Sequence, residues 1–428
     1  MEVTDDGGLG AWLDMAPIAA AASPAIVKMI ANIGGSESDS ADPATCSHRW
    51  RNGECAVCKT PCTHESWTNG TCNTCSLVCT HVGTHDEDSL VCSVCSTVGY
   101  HTFVDSECAC GATTIFEMDA IPDSYLAECD QKGTVESFVY DTYAYALEAV
   151  VDNGERLPVT KEAKVYLPYG YDPSKSYDVI YLLHGGGDPN GNAQNAWLVD
   201  HADTVNILDN MIKNGDCDPV IVVTPTFYSV VDGVQVDETA TNWTTAFGYE
   251  LMNDLIPAVE SKYATYAEGN VSAENLKATR AHRAYAGLSM GSMTSFNSIL
   301  SYCTDYIGYV GSYSAGPEAD IALALAAAEK IAASLNASSN EIYYWFNANG
   351  VKDMAHDPHL ATYPYMMEAC SNVFQDGVNS CWVDYLEGMH DWVWWQLDLY
   401  NSLKVFFQVD EAGENPTLDS LAAEGVLH

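Results

Sequence analysis

Basic residues are scarce in this chain. Seventeen lysines and arginines stand against 59 aspartates and glutamates, a formal net charge of -42 over 428 residues. A surface so short of positive charge repels nucleic acid and anionic membranes, which argues against both as partners. Long apolar runs are missing too: nothing reaches the roughly 18 residues of a membrane span. The start "MEVTDDGG" lacks the basic residues of a signal peptide. The expectation is a processed chain to which Met1 was added for expression. Cysteine is thin after Cys110, because 11 of the 16 lie between Cys46 and Cys110. What is present is apolar content of 47%, enough for a large core, and a length suited to two or three domains.

Composition divides the chain into a leader and linker over residues 1–45, a cysteine-rich region over 46–111, a long region over 120–410 and a weakly ordered tail over 411–428. The cysteine-rich region repeats. "CSHRWRNGECAVC", "CTHESWTNGTCNTC" and "CTHVGTHDEDSLVCSVC" each read Cys-x-His, a polar turn, then Cys-x-x-Cys. The resulting sets are Cys46, His48, Cys55 and Cys58; Cys62, His64, Cys72 and Cys75; Cys79, His81, Cys92 and Cys95. Three thiols and one imidazole form the ligand set of a tetrahedral structural zinc site. A unit too short to bury a core needs such an ion for folding energy. Disulfides are the alternative, but the repeated histidine and the odd count of 11 oppose them. Two Cys-x-x-Cys pairs could also share one ion. A fourth unit, "YHTFVDSECAC", has tyrosine in place of its first cysteine. The array resembles small Cys/His repeats of secreted proteins from anaerobic bacteria, and could bind a protein or cell-surface partner or act as a spacer.

After residue 120 apolar strands alternate with helical patterns, which predicts an α/β fold with a mostly parallel sheet covered on both faces. Within it "GLSMG", residues 287–291, is Gly-x-Ser-x-Gly, the nucleophile elbow of the α/β-hydrolase fold. The strand "RAYAGLSM" precedes Ser289 and the helix "GSMTSFNSILSY" follows it. The amide of Met290 and an amide of the turn "HGGG", residues 184–187, are the expected oxyanion donors. A serine hydroxyl needs a base. His390 follows the last strand pattern, "CWVDYLEG", with His356 as runner-up. The orienting acid should follow the strand "EIYYWFNANG", where Asp353 and Asp357 both stand. Asp353 is favoured because Asp357, just before Pro358, suits the cap of the next helix.

"VYLPYGYDPSKSYDVIYLLHGGGD", "GLSMGS", "GVKD" and "GMHDWVWW" together resemble the feruloyl and acetyl-xylan esterases of the first carbohydrate esterase family, with esterase D more distant. The resemblance covers about residues 133–408 and is most specific at His390-Asp391-Trp392 and Trp395. It implies Ser289 as nucleophile, Asp353 as acid, His390 as base, and Gly186 and Met290 as oxyanion donors. Ser292 and Met389 stand where the family often has glycine. The expected enzyme is a secreted serine esterase that removes hydroxycinnamoyl groups from plant cell-wall xylan with no cofactor in catalysis. An acetyl esterase, thioester hydrolase or acyltransferase of the same fold is the alternative, and a non-catalytic anchoring protein the third reading. Trp197, Trp392 and Tyr228 are the expected walls of an aromatic slot for the acyl group.

Overall fold

The computed structural model describes residues 118–147, 156–187, 192–237 and 242–408, together with six two-residue strands nearer the N-terminus. The chain divides into two compact units, Met1–Thr114 and Ile115–His428. In the first unit the described backbone forms three hairpins: Trp50–Arg51 with Glu54–Cys55, Trp67–Thr68 with Thr71–Cys72, and Phe103–Val104 with Glu107–Cys108. Each leaves two residues between its strands. In sequence, two of these gaps read Asn52-Gly53 and Asn69-Gly70. In register, Trp50 stands opposite Cys55, Trp67 opposite Cys72 and Phe103 opposite Cys108. The side chains of the expected metal ligands lie outside the described residues, as do the leader and the tail.

The second unit is built on eight strands. β1 is Thr134–Tyr143, β2 Pro158–Leu167, β3 Asp178–Leu183 and β4 Val220–Thr224. β5 is Arg283–Leu288, β6 Tyr309–Tyr313, β7 Tyr344–Gly350 and β8 Ser380–Tyr385. Their order across the sheet is β8-β7-β6-β5-β3-β4-β2-β1. The six from β8 to β4 run parallel, while β2 is antiparallel to both β4 and β1. The helices are α1 Asp203–Asn214, α2 Trp243–Glu250, α3 Ile256–Lys262, α4 Ala273–Ala278, α5 Met290–Thr294, α6 Ile321–Ala337, α7 His356–Ala369 and α8 Trp392–Leu403. Wider π-helical turns join α2 to α3, at Leu251–Leu255, and extend α5, at Ser295–Leu300.

The period of two in the strands divides the core into two layers. Val179, Tyr181 and Leu183 of β3, with Tyr285 of β5 and Trp345 of β7, pack against Phe247, Val259, Phe296, Ile331 and Met366. Ile180 and Leu182 of β3, with Ala284 and Ala286 of β5, pack against Leu208, Met211, Trp395 and Leu399. Both faces of the sheet are therefore covered, as the apolar strands require. β6 is not legible in the sequence, because "YVGSY" is only five residues long and two of them are glycine or serine. The helix that follows β7 spans His356–Ala369. Its N-cap is Ala355, and Asp357 sits in its first turn, so the expected Asp357 cap with Pro358 at the first helical position is corrected by two residues. Cys129, Cys217, Cys303, Cys370 and Cys381 are free and buried.

Candidate active site

β5 ends at Leu288 and α5 begins at Met290, which leaves Ser289 alone to turn the chain. It does so at φ 53°, ψ -117°, a region that non-glycine residues avoid. Such a residue stores about 1–3 kcal/mol of strain and needs rigid surroundings to hold it there. The two flanking glycines permit those surroundings. A Cβ on Gly287 would lie 2.6 Å from the Gly291 carbonyl carbon. One on Gly291 would lie 2.7 Å from the carbonyl oxygens of Leu183 and His184. The elbow is thereby pressed against the end of β3 and its glycine turn. A Cβ on Gly185 would come 2.9 Å from the Ser289 Cβ, and one on Gly186 2.8 Å from the Met290 sulfur.

His390 and Asp353 reach Ser289 from the ends of β8 and β7. His390 Nε2 lies 3.0 Å from Ser289 Oγ, and His390 Nδ1 lies 2.9 and 3.0 Å from the two Asp353 oxygens. The neutral imidazole that fits this line carries its proton on Nδ1, donates to the carboxylate and accepts from the serine hydroxyl. The Asp353 side chain is wholly buried while that of His390 is 21% exposed, so the acid is screened from water and the base remains accessible. Asp353 Oδ1 also accepts from the Ala355 amide at 2.8 Å, which fixes its own loop.

The loops carrying acid and base meet backbone to backbone. Lys352 N–H donates to the Gly388 carbonyl at 2.9 Å. A Cβ on Gly350 would fall 2.2 Å from the Gly388 carbonyl carbon, and one on Gly388 would fall 2.5 Å from the Gly350 Cα. Only glycine at both positions lets the loops close to this distance. The sequence does not reveal this role of Gly350 and Gly388, because their contact joins the ends of two separate strands.

The remaining candidates are placed elsewhere. His356 is engaged at both nitrogens, by Asp384 at 3.0 Å and Asp357 at 3.1 Å. The hydrogen bond that Asp384 accepts from it raises its pKa against the opposing effect of burial. Asp357 is an exposed partner of that imidazole, whereas His390 Nδ1 is bonded to Asp353. His359 is fully buried, and burial pushes its pKa down to about 3. His282 pairs with Asp178 at the start of β3, the opposite end from the elbow. Near Asp353, burial raises the carboxyl of Asp398 well above the usual range, the charge of Asp353 adding to the effect, and so favours a neutral acid there.

Of the expected slot walls, two belong to the core. Trp197 is completely buried and its indole N–H donates to the Leu183 carbonyl at 3.1 Å. Tyr228 is 6% exposed, and its hydroxyl accepts the Gly187 amide at 3.2 Å. Both therefore brace the end of β3 instead of presenting a ring face to a ligand. Trp392 is half-buried, stacked at 3.7 Å on His201 and edge-on to Trp197 at 5.1 Å. Trp395 lies edge-on to the His390 ring at 5.0 Å and donates from its indole N–H to Ser314 Oγ at 2.9 Å. That contact gives the second tryptophan of the His-Asp-Trp-x-x-Trp stretch a place beside the base. Gly186 is exposed at the turn, and Met290, as the first helical residue, has an amide with no acceptor in a preceding turn.

A serine on a sharp turn, hydrogen-bonded to an imidazole that a buried carboxylate orients, is an arrangement for nucleophilic acyl transfer. Comparisons with known proteins agree with this chemistry. The family model "Putative esterase" matches residues 155–406. The endo-1,4-beta-xylanase Y of Acetivibrio thermocellus is 38% identical over 241 residues, which are 55% of this chain and 19% of that protein. An endo-1,4-beta-xylanase/feruloyl esterase of Xylanibacter ruminicola is 28% identical over 207 residues, 45% of this chain and 26% of that protein. The chain thus spans only a minor part of the length of these relatives. Among solved structures, a serine-to-alanine mutant of the feruloyl esterase module from Clostridium thermocellum, complexed with sinapinate, is 31% identical with a TM-score of 0.53, covering 68% of this chain and 95% of that one. A ferulic acid esterase from the anaerobic fungus Anaeromyces mucronatus shares the fold at 20% identity and a TM-score of 0.52, covering 68% of this chain and 98% of that one. With the family model matching more than half of its residues, the chain belongs to this esterase family.

Proposed function

We propose that the protein is a serine esterase that releases hydroxycinnamoyl groups, such as feruloyl, from plant cell-wall xylan. The observation that carries the reading is the continuous line from Asp353 through His390 to Ser289 on a strained elbow. His390 takes the hydroxyl proton as Ser289 attacks the ester carbonyl, and Asp353 holds the imidazole in the tautomer that can accept it. The amides of Gly186 and Met290 receive the developing oxyanion. Protonated His390 then gives its proton to the departing sugar alcohol, leaving an acyl-enzyme that water hydrolyses through the same base. The feruloyl choice is supported by the feruloyl esterase module of comparable extent and by the relatives named for xylanase and feruloyl esterase activities. A polymeric substrate supports work outside the cell, and the free, buried Cys129, Cys217, Cys303, Cys370 and Cys381 support an anaerobic source.

For the Cys/His units the same proposal assigns structural zinc, one ion per complete unit. The ligand spacing and the repeated hairpin with an aromatic residue opposite a cysteine support it.

A substrate panel tests the esterase reading. Methyl ferulate and a feruloylated arabinoxylan oligosaccharide should give higher kcat/KM than acetylated xylan or a short acyl thioester. A clear preference for acetyl esters would overturn the feruloyl assignment while leaving the serine-esterase one.

A further inference from the structure

A buried lysine has no part in the acyl-transfer steps. Lys161 of β2 is 5% exposed and its ammonium lies 2.6 Å from Glu250 Oε2 at the end of α2. The Tyr140 hydroxyl donates to the other oxygen of Glu250 at 2.6 Å. Taking an ammonium and a carboxylate out of water costs several kcal/mol per ion, so such a pair is weak evidence of stability for its own sake. The remaining bonds of Lys161 show what the pair holds. Its ammonium also donates to the carbonyls of Thr226 at 3.2 Å and Phe227 at 3.4 Å, in the segment that leaves β4.

That segment grips the glycine turn. Thr226 Oγ1 lies 2.9 Å from His184 Nε2 and accepts the Tyr228 amide at 3.1 Å. The Tyr228 hydroxyl accepts the Gly187 amide at 3.2 Å, and its ring stacks on that of His184 at 5.4 Å. Gly187 itself has φ 99°, a conformation that leaves the turn dependent on outside partners. A chain of bonds thus runs from Glu250 through Lys161, Thr226 and Tyr228 to the residue next to Gly186.

We propose that the buried Lys161–Glu250 pair, acting through Thr226 and Tyr228, is the positioning element of the oxyanion turn. Its partner is the protein's own backbone, and its effect is on the aim of the Gly186 amide. The inference rests on the assignment of Gly186 as an oxyanion donor. A second buried pair offers the contrast: Arg283 and Glu260 are equally hidden, but Arg283 opens β5, at the opposite end from the elbow, where it meets Glu260 of α3 and donates to the Leu276 and Tyr306 carbonyls.

The test uses the full chain, hydrolysis of 4-nitrophenyl acetate, and inhibition by an aryl trifluoromethyl ketone, which binds as a serine hemiketal and needs the oxyanion donors. Tyr228→Phe removes the acceptor of the Gly187 amide and keeps the ring that stacks on His184. It should lower kcat about ten- to a hundredfold, less than deleting a donor outright, with KM little changed and ketone affinity weakened by a similar factor. Replacing Lys161 and Glu250 together by methionine avoids an unpaired buried charge and should act in the same direction. The double replacement of Arg283 and Glu260 by methionine should shift the melting temperature and leave kcat near wild type. Unchanged kcat and ketone affinity in Tyr228→Phe would overturn the proposal, as would an equal loss of kcat in the Arg283/Glu260 variant. A wild-type protein that fails to hydrolyse 4-nitrophenyl acetate would instead remove the esterase reading beneath it.

Discussion

Asp353 and Asp357 are four positions apart and chemically alike, yet their surroundings divide their work. Asp353 is sealed from water against His390, whereas the Asp357 side chain is 80% exposed beside His356. An acid that orients an imidazole must be the group hydrogen-bonded to it, so only Asp353 can set the tautomer. Asp353→Asn should therefore lower turnover by about three to four orders of magnitude, and Asp357→Asn by much less than tenfold, as measured by kcat on methyl ferulate. Equal small effects would place the acid elsewhere. Ser289, His390 and Asp353 were legible in the sequence because each follows a strand whose apolar run is plain. The burial of Trp197 and Tyr228 was not legible, because an aromatic residue near a strand end can point into the core as easily as into a cleft, and the sequence does not show which.

The elements explain why these side chains meet. β5 and α5 leave a single residue for the elbow, and the glycine pattern around Ser289 announces that turn. The closure of the β7 and β8 loops is less visible, since Gly350 and Gly388 reveal their purpose only once the strands lie side by side. A Cβ at position 388 must push the acid and base loops apart. Gly388→Ala should accordingly cut kcat about a hundredfold or more, on the argument that a displacement near 1 Å has that cost. Met389→Ala, which changes a side chain 52% exposed, should have little effect. Steady-state kinetics on the two variants checks this, and a Gly388→Ala enzyme with normal kcat would show that the loop contact does not set the triad. The Lys161–Glu250 pair was hidden for a related reason. Its members are 89 residues apart, on a strand and a helix, and in sequence each reads as an ordinary surface charge.

For the whole molecule, the core and the site belong to the second unit, and the chemistry assigned to Ser289, His390 and Asp353 draws on no residue before Ile115. The α/β character and the position of the elbow could be read from alternating apolar runs. The sheet order, with β3 between β5 and β4, could not, because it depends on crossovers. Deletion of residues 1–114 should leave kcat/KM on methyl ferulate nearly unchanged, while the intact, reduced chain should carry about three zinc ions by elemental analysis. Chelation should remove the metal and spare the hydrolysis. Intact protein with neither zinc nor titratable thiols in the repeats would favour disulfides, and loss of turnover on chelation would require the metal in catalysis.

The central claim is that the acyl group passes through Ser289. Acid-quenched protein from a reaction with methyl ferulate, digested and analysed by mass spectrometry, tests it most directly. The account predicts one feruloyl group on the peptide that holds Ser289, absent from Ser289→Ala, whose turnover should fall about a thousandfold or more and scarcely further when His390→Ala is added. Feruloyl release by Ser289→Ala at near the native rate, or an adduct on another residue, would contradict it.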